Sequence, residues 1–280
     1  MYKYTIVNSF GSDLFTGNPV AVFFNCDDLD DYHMQKLAAE INLSETTFIR
    51  APIKGGDFNV KIFTPVNELG FAGHPLLGTA LALAQETGLS EMNIETQKGV
   101  YRFSVDLVKE QPYTVYVQME QPKPAISPYE YRKKLLEALG VEKSTLPIDI
   151  YDVGPRHVFV GVENVDILAK ISPDLKKLSQ FNNIATLCFC PNGTGSWRLR
   201  MFSPAYGVAE DAATGSAAGP LALHLCRYGL SEFGKMIEII QGVEMERPSY
   251  MNAVAKKTNE EFLLEAGGYA FQVAVGQYFI

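Results

Sequence analysis

The stretch Phe63-Thr64-Pro65-Val66-Asn67-Glu68-Leu69-Gly70-Phe71-Ala72-Gly73-His74-Pro75 has a counterpart in the second half of the chain. That counterpart is Phe202-Ser203-Pro204, followed after a loop by Glu210-Asp211-Ala212-Ala213-Thr214-Gly215-Ser216. Each copy runs from an aromatic-hydroxyl-proline turn to a Glu, then to a Gly five residues later, then into a small-apolar helix. The helix residues are Ala80, Leu81 and Leu83 in one copy and Ala222, Leu223 and Leu225 in the other, at identical spacing from the Glu. Only the loop before the Glu differs, being three residues longer in the second copy. Upstream, Asn18-Pro19-Val20-Ala21-Val22 is echoed by Gly154-Pro155-Arg156-His157-Val158, in each case a proline-led turn into a hydrophobic strand. A repeat of this length is a domain duplication rather than a short-period solenoid.

Around the first copy the pattern predicts short strands at Tyr4–Phe10, Ala21–Phe24, Thr46–Ile49, Phe58–Phe63, Arg102–Leu107 and Tyr113–Met119. One amphipathic helix is expected over Asp31–Ile41, with Met34, Leu37, Ala38 and Ile41 on one face. The apolar run Gly70–Ala84 is interrupted by His74 and Pro75 and is shorter than the ~18 residues of a spanning helix, so it reads as a buried helix. Gln121-Pro122-Lys123-Pro124 cannot continue a central strand, which places the boundary there: one domain over residues 1–124, a second over 125–268. Ser127-Pro128-Tyr129-Glu130 has the form of a capping box and predicts a helix running to about Leu139, ended by Gly140. The apolar C-terminal run 269–280 needs a partner strand and is expected to pair within the chain, completing the first domain's sheet.

Composition narrows the function. The 280 residues carry 24 Lys and Arg against 32 Asp and Glu, a net charge of −8, with no basic run. That balance excludes a nucleic-acid partner and an anionic membrane surface as expectations. The N-terminus lacks a secretory apolar core, which points to the cytoplasm. Cys26, Cys188, Cys190 and Cys226 show no CxxC spacing or companion His cluster, so they read as reduced thiols and no metal is expected.

Two matched helix N-termini, one after Gly73 and one after Gly215, offer backbone N–H groups and partial positive charge to a shared cleft. The guest that suits them is a small carboxylate, and glycine lets it approach the backbone. Three strings place ionisable groups among small or apolar residues. Glu45 enters a strand in Asn42-Leu43-Ser44-Glu45-Thr46, where a lone carboxylate is ordinarily solvated. His74 sits at a helix start that disfavours its protonated form, and Asp211 precedes the second helix, where it reads equally as a cap or as a catalytic group. His33 and His224 fall in expected helices and read as packing or surface residues; His157 beside Arg156 could line a cleft. No P-loop, GxGxxG or G-x-S-x-G string supports nucleotide binding or a Ser nucleophile.

At these strings the sequence resembles the PhzF family of phenazine-biosynthesis isomerases, nearly end to end. The similarity runs through F-T-G-N-P-V-A-V-F from Phe15, N-L-S-E-T-T-F from Asn42, A-G-H-P-L-L-G-T-A from Ala72, and G-P-R-H-V-F-V-G-V from Gly154. It continues through E-D-A-A-T-G-S-A-A-G-P from Glu210 and G-V-E-M-E-R-P-S from Gly242. The resemblance implies an α+β, diaminopimelate-epimerase-like fold: two duplicated domains, each a β-barrel-like, mostly antiparallel sheet around a central helix. It implies a homodimer without metal or organic cofactor that isomerises trans-2,3-dihydro-3-hydroxyanthranilate by moving a proton from ring C3 to C1. The family's shuttling carboxylate falls on Glu45, its assisting residues on His74 and Asp211, and its substrate-holding positions on Gly73, Gly215 and Ser216.

Cysteine-dependent epimerases of this fold carry a thiol before each glycine-rich helix start. Here Ala72 and Ala212 occupy those positions, which excludes two-thiol racemisation. Gly70 stands where family members commonly have proline. Two other readings stay open on sequence: an isomerase of another small cyclic amino or hydroxy acid, and a carboxylate-binding protein without turnover.

Overall fold

The computed structural model describes residues 1–107, 115–258 and 261–280. The first half contains β1 (Tyr2–Ser9), β2 (Asn18–Phe23), α1 (Asp31–Ile41), β3 (Glu45–Arg50), β4 (Phe58–Phe63) and β5 (Glu68–Leu69). It continues with α2 (Gly73–Thr87), β6 (Glu91–Thr96), β7 (Gly99–Asp106) and β8 (Val115–Gln121). The second half contains β9 (Ala125–Pro128), α3 (Arg132–Leu139), β10 (Asp149–Asp152), β11 (Arg156–Gly161), α4 (Val165–Lys170), α5 (Leu175–Leu178) and β12 (Ala185–Pro191). It closes with β13 (Ser196–Ser203), β14 (Val208–Asp211), α6 (Gly215–Arg227), β15 (Ile237–Gln241), β16 (Ser249–Thr258) and β17 (Glu261–Tyr278).

The ladders run β1-β2-β3-β4-β6-β7-β8-β17 and return to β1, closing a barrel. The second half repeats the order as β9-β10-β11-β12-β13-β15-β16-β17. Parallel pairs fall at the same places in both: β2–β3 and β11–β12, then β4–β6 and β13–β15. A parallel pair needs a crossover, and α2 and α6 supply the second one in each half. Gly73–Ala84 and Gly215–Leu225 are buried on every side, which explains helices apolar all round rather than along one stripe. The duplication extends to side chains. Lys61 on β4 pairs with Glu68 at 3.4 Å and lies over Phe63, as Arg200 on β13 pairs with Glu210 at 2.8 Å and lies over Phe202.

β17 serves both halves. It pairs with β16 through Glu261–Gly267, with β8 through Leu264–Ala270, and with β1 from Ala270 to Tyr278. The counterpart path is β8 followed by β9, interrupted at Pro122 and Pro124, with β9 pairing to β10. This pairing overturns the expected capping box. Ser127 and Pro128 lie in β9, and α3 begins at Arg132 without a side-chain cap. Ladder hydrogen bonds to Asp149 and Ile150 outweigh a local cap at that site.

The expected α1 bounds match the helix, whose start is capped by the Asp30 side chain accepting from the His33 N–H. β6 carried no distinct sequence signal, and positions 113–114 of the strand expected at Tyr113–Met119 lie outside the described residues. Cys188 and Cys190 share the buried face of β12, packed in the second half's core. No helix among the described residues is long and apolar enough to cross a membrane.

Candidate active site

Between the two halves lies a cleft of about 530 Å³, counting its open mouth, lined by Glu45, His74, Asp211 and Ser216 together with Gly73, Gly215 and His157. Local chain geometry places each of these. Asn42, in the left-handed conformation at φ 56°, ends α1 and turns the chain so that Glu45 opens β3. Asp211 ends β14, a strand held by the two-pronged Arg200–Glu210 pair at 2.8 and 2.9 Å. The same guanidinium donates to the carbonyls of Leu168 and Ile171 and so ties β14 to the end of α4.

The two helix starts meet backbone to backbone. A Cβ on Gly73 would lie 2.2 Å from the Ser216 nitrogen, and one on Gly215 would lie 2.9 Å from the His74 nitrogen. The close approach that requires glycine is the opposing helix for Gly73, and for Gly215 the Phe10 ring at 2.7 Å together with that helix, a reason the sequence alone did not disclose. Two positive helix ends in contact favour a shared anion at the cleft they flank.

The start of α6 is held from two sides. Gln241 accepts from the Thr214 N–H at 3.1 Å and donates to the Asp211 carbonyl at 2.8 Å. Gln121, at the end of β8, donates to the Gly215 carbonyl at 2.7 Å and accepts from the Gly219 N–H at 2.8 Å. Those two groups are ordinary i, i+4 helix partners, so the glutamine amide replaces one helical link.

Asn18 joins the halves. Its Nδ2 donates to Asp211 Oδ1 at 2.7 Å and to the Ala213 carbonyl at 3.1 Å, while its Oδ1 accepts from Ser44 at 3.1 Å. Nδ2 also lies 3.3 Å from His74 Nδ1. Nε2 is 3.2 Å from Glu45 Oε2, within reach but off the hydrogen-bonding line.

Burial, and secondarily the charge of Asp211, push the Glu45 carboxyl up to about 8. Burial also raises Asp211 to about 6, against the donors Thr214 and Asn18 that favour its ionised form. The two carboxyls titrate as a pair, and burial raises both above the ordinary carboxylate range. Burial lowers His74 to about 3, leaving it neutral.

The structure thus brings Glu45, His74, Asp211, Gly73, Gly215 and Ser216 to one cleft. His157, which the sequence marked only as able to line a cleft, lines it, and Asn18, whose turn the repeat had marked only as a strand entry, is bonded to Asp211. No cysteine lines the cleft, and burial raises Cys188 and Cys26 to about 12, which leaves them as inert thiols. Ala72 lines the cleft and Ala212 is buried beside Asp211.

Residues 7–276 match the family model of phenazine biosynthesis-like proteins, PhzC-PhzF. A Pseudomonas fluorescens protein named trans-2,3-dihydro-3-hydroxyanthranilate isomerase is 52% identical over 261 residues, covering 93% of each chain. A Pseudomonas aeruginosa protein of the same name is 48% identical over the full length of both. Among solved structures, a PhzF-family phenazine biosynthesis protein from Bacillus anthracis superposes with a TM-score of 0.86 at 21% identity, covering 100% of this chain and 99% of that one. A hydroxyproline epimerase from Agrobacterium vitis superposes at 0.68 with 13% identity, covering 99% of this chain and 90% of that one, and shares the α+β fold alone. With the match spanning both halves of the duplication, this chain belongs to the PhzC-PhzF family of phenazine biosynthesis-like proteins.

Proposed function

We propose that this protein is an isomerase converting trans-2,3-dihydro-3-hydroxyanthranilate in phenazine biosynthesis, with Glu45 carrying one proton from ring C3 to C1. The observation that carries the reading is the Glu45 carboxyl, buried in the cleft beside Asp211 and His74 and raised to about 8. A group of that acidity both accepts and returns a proton near neutral pH.

The ionised Glu45 takes the C3 hydrogen as a proton, and the C–H pair becomes a C3=C4 double bond. The two ring double bonds shift by one position, and their displaced pair takes the proton back from Glu45 at C1. The product is an isomeric enol, which becomes the ketone. The neutral His74 lies beside the carboxyl, and Asp211, fixed by Asn18 and Thr214, offers an acceptor to the substrate's amino group. The helix starts at Gly73 and Gly215, with Ser216, hold the substrate carboxylate.

On this reading the protein is a cofactor-independent cytoplasmic homodimer. Exposed apolar residues Val275, Phe279 and Ile280 at the end of the chain support a partner surface. The test is to incubate the protein with the substrate in deuterated water and follow isomerisation. The wild type turns over, while Glu45→Gln binds without turnover; near-normal activity of that variant would sink the assignment.

A further inference from the structure

His157 reaches the cleft from β11 with no solvent exposure, and its Nε2 lies 3.1 Å from the hydroxyl of Ser216, the second residue of α6. The other ring nitrogen, Nδ1, is buried without a hydrogen-bond partner. Burial lowers this imidazole to about 3, so the ring is neutral and carries one N–H.

A neutral ring has two choices. With the proton on Nδ1, a buried N–H has no acceptor, and Ser216 spends its own hydrogen on Nε2. With the proton on Nε2, the ring donates to Ser216 Oγ, and only a ring lone pair is left unpaired. Orphaned buried donors are the rarer of the two defects in protein interiors, so the Nε2–H form is the one this site favours.

We propose that His157 is a positioning residue whose Nε2–H donates to Ser216 Oγ, making the Ser216 hydroxyl an obligatory donor toward the carboxylate of the bound substrate. This rests on the reading of the cleft as the substrate site. The duplicated ladders support it. β2 sets Val20 beside Glu45, and β11 sets His157 beside Ala185. In the matched strand pairs the acid stands on β3, where the other half has Ala185, and the imidazole on β11, where the first half has Val20, so the two halves line the cleft with different groups.

The test is a double-mutant cycle read in KM, kcat and calorimetric binding of anthranilate, an aromatic carboxylate of the same skeleton. His157→Phe and Ser216→Ala should each raise KM, and weaken anthranilate, about tenfold or more while kcat changes far less. The double variant should lose no more than the worse single. His157→Gln, whose amide N–H can reach the same oxygen, should recover most of the loss. Additive losses, or a fall in kcat at unchanged KM, would overturn the assignment.

Nitrogen NMR of the wild-type histidine rings reports the tautomer without any variant. A protonated Nε2 on His157 supports the proposal and a protonated Nδ1 overturns it. Anthranilate binding and tautomer need no turnover. A protein that fails to isomerise yet shows the coupled binding losses refutes the proposed reaction and supports the role of His157.

Discussion

Asn18 and Asp211, 193 residues apart, are joined by a 2.7 Å hydrogen bond that crosses the cleft between the two halves. One amide thereby ties the Asp211 carboxylate of one half to the half that carries Glu45. Removing it has a directional consequence. Asn18→Ala takes away a donor that favours ionised Asp211, so Asp211 holds its proton to higher pH and presses less on Glu45. Turnover should fall about tenfold to a hundredfold, as for a lost hydrogen bond to a charged group. The pH at which activity is half-maximal should move down, and an unchanged pH profile would argue against the coupling.

The pH dependence of the wild type follows from Glu45 itself. On the proposed reaction its carboxyl must be ionised to take the C3 proton, and burial beside Asp211 delays ionisation to about 8. kcat/KM should therefore climb through neutral pH and level off above about 8, the signature of a base in the free enzyme. Steady-state rates across about pH 4 to 9.5 measure it; a limb that levels off near pH 5 would mean that Glu45 is an ordinary carboxylate.

The same group costs stability. Its folded-state value of about 8 lies above the ordinary 4.5, so between those limits the native protein keeps a proton that the unfolded chain has lost. The native state is favoured most below 4.5 and loses that advantage as pH rises toward 8. Glu45→Gln, neutral throughout, should match the wild type near pH 4.5 and exceed it above pH 8 by on the order of 2–4 kcal/mol. Thermal melts at the two ends of the range decide it, and equal melting temperatures at the alkaline end would contradict the burial cost.

Gly73→Ala tests the contact between helix starts. The added methyl would meet the Ser216 nitrogen at 2.2 Å and the Gly215 carbonyl carbon at 2.3 Å, both backbone and unable to rotate away. Destabilisation of about 3 kcal/mol is expected, at the upper end for overpacking. Urea unfolding measures it. Native-like stability would show that the helix starts can separate at little cost.

The sequence by itself determined the duplication, because a repeated Glu-to-Gly-to-helix spacing is written between near neighbours along the chain. For the same reason it marked Glu45, His74 and Asp211 as candidates and bounded α1. Residues 125–128 show the limit. Their local pattern favours a helix cap, yet the β10 ladder draws them into a strand. β17 is likewise one sequence run whose pairing with β16, β8 and β1 depends on edges brought up from distant parts of the chain.

Only the tertiary structure decided the chemistry. Glu45 at a strand start reads as solvated until packing buries it opposite Asp211, and that desolvation turns an ordinary carboxylate into one that titrates near 8. The partners of Asn18 and His157 were hidden for the same reason: Asn18 bonds to Asp211 of the other half, and His157 meets Ser216, 59 residues on in its own half. Burial and long-range hydrogen bonding belong to no short window of residues, so they arise only when distant segments of the chain pack together.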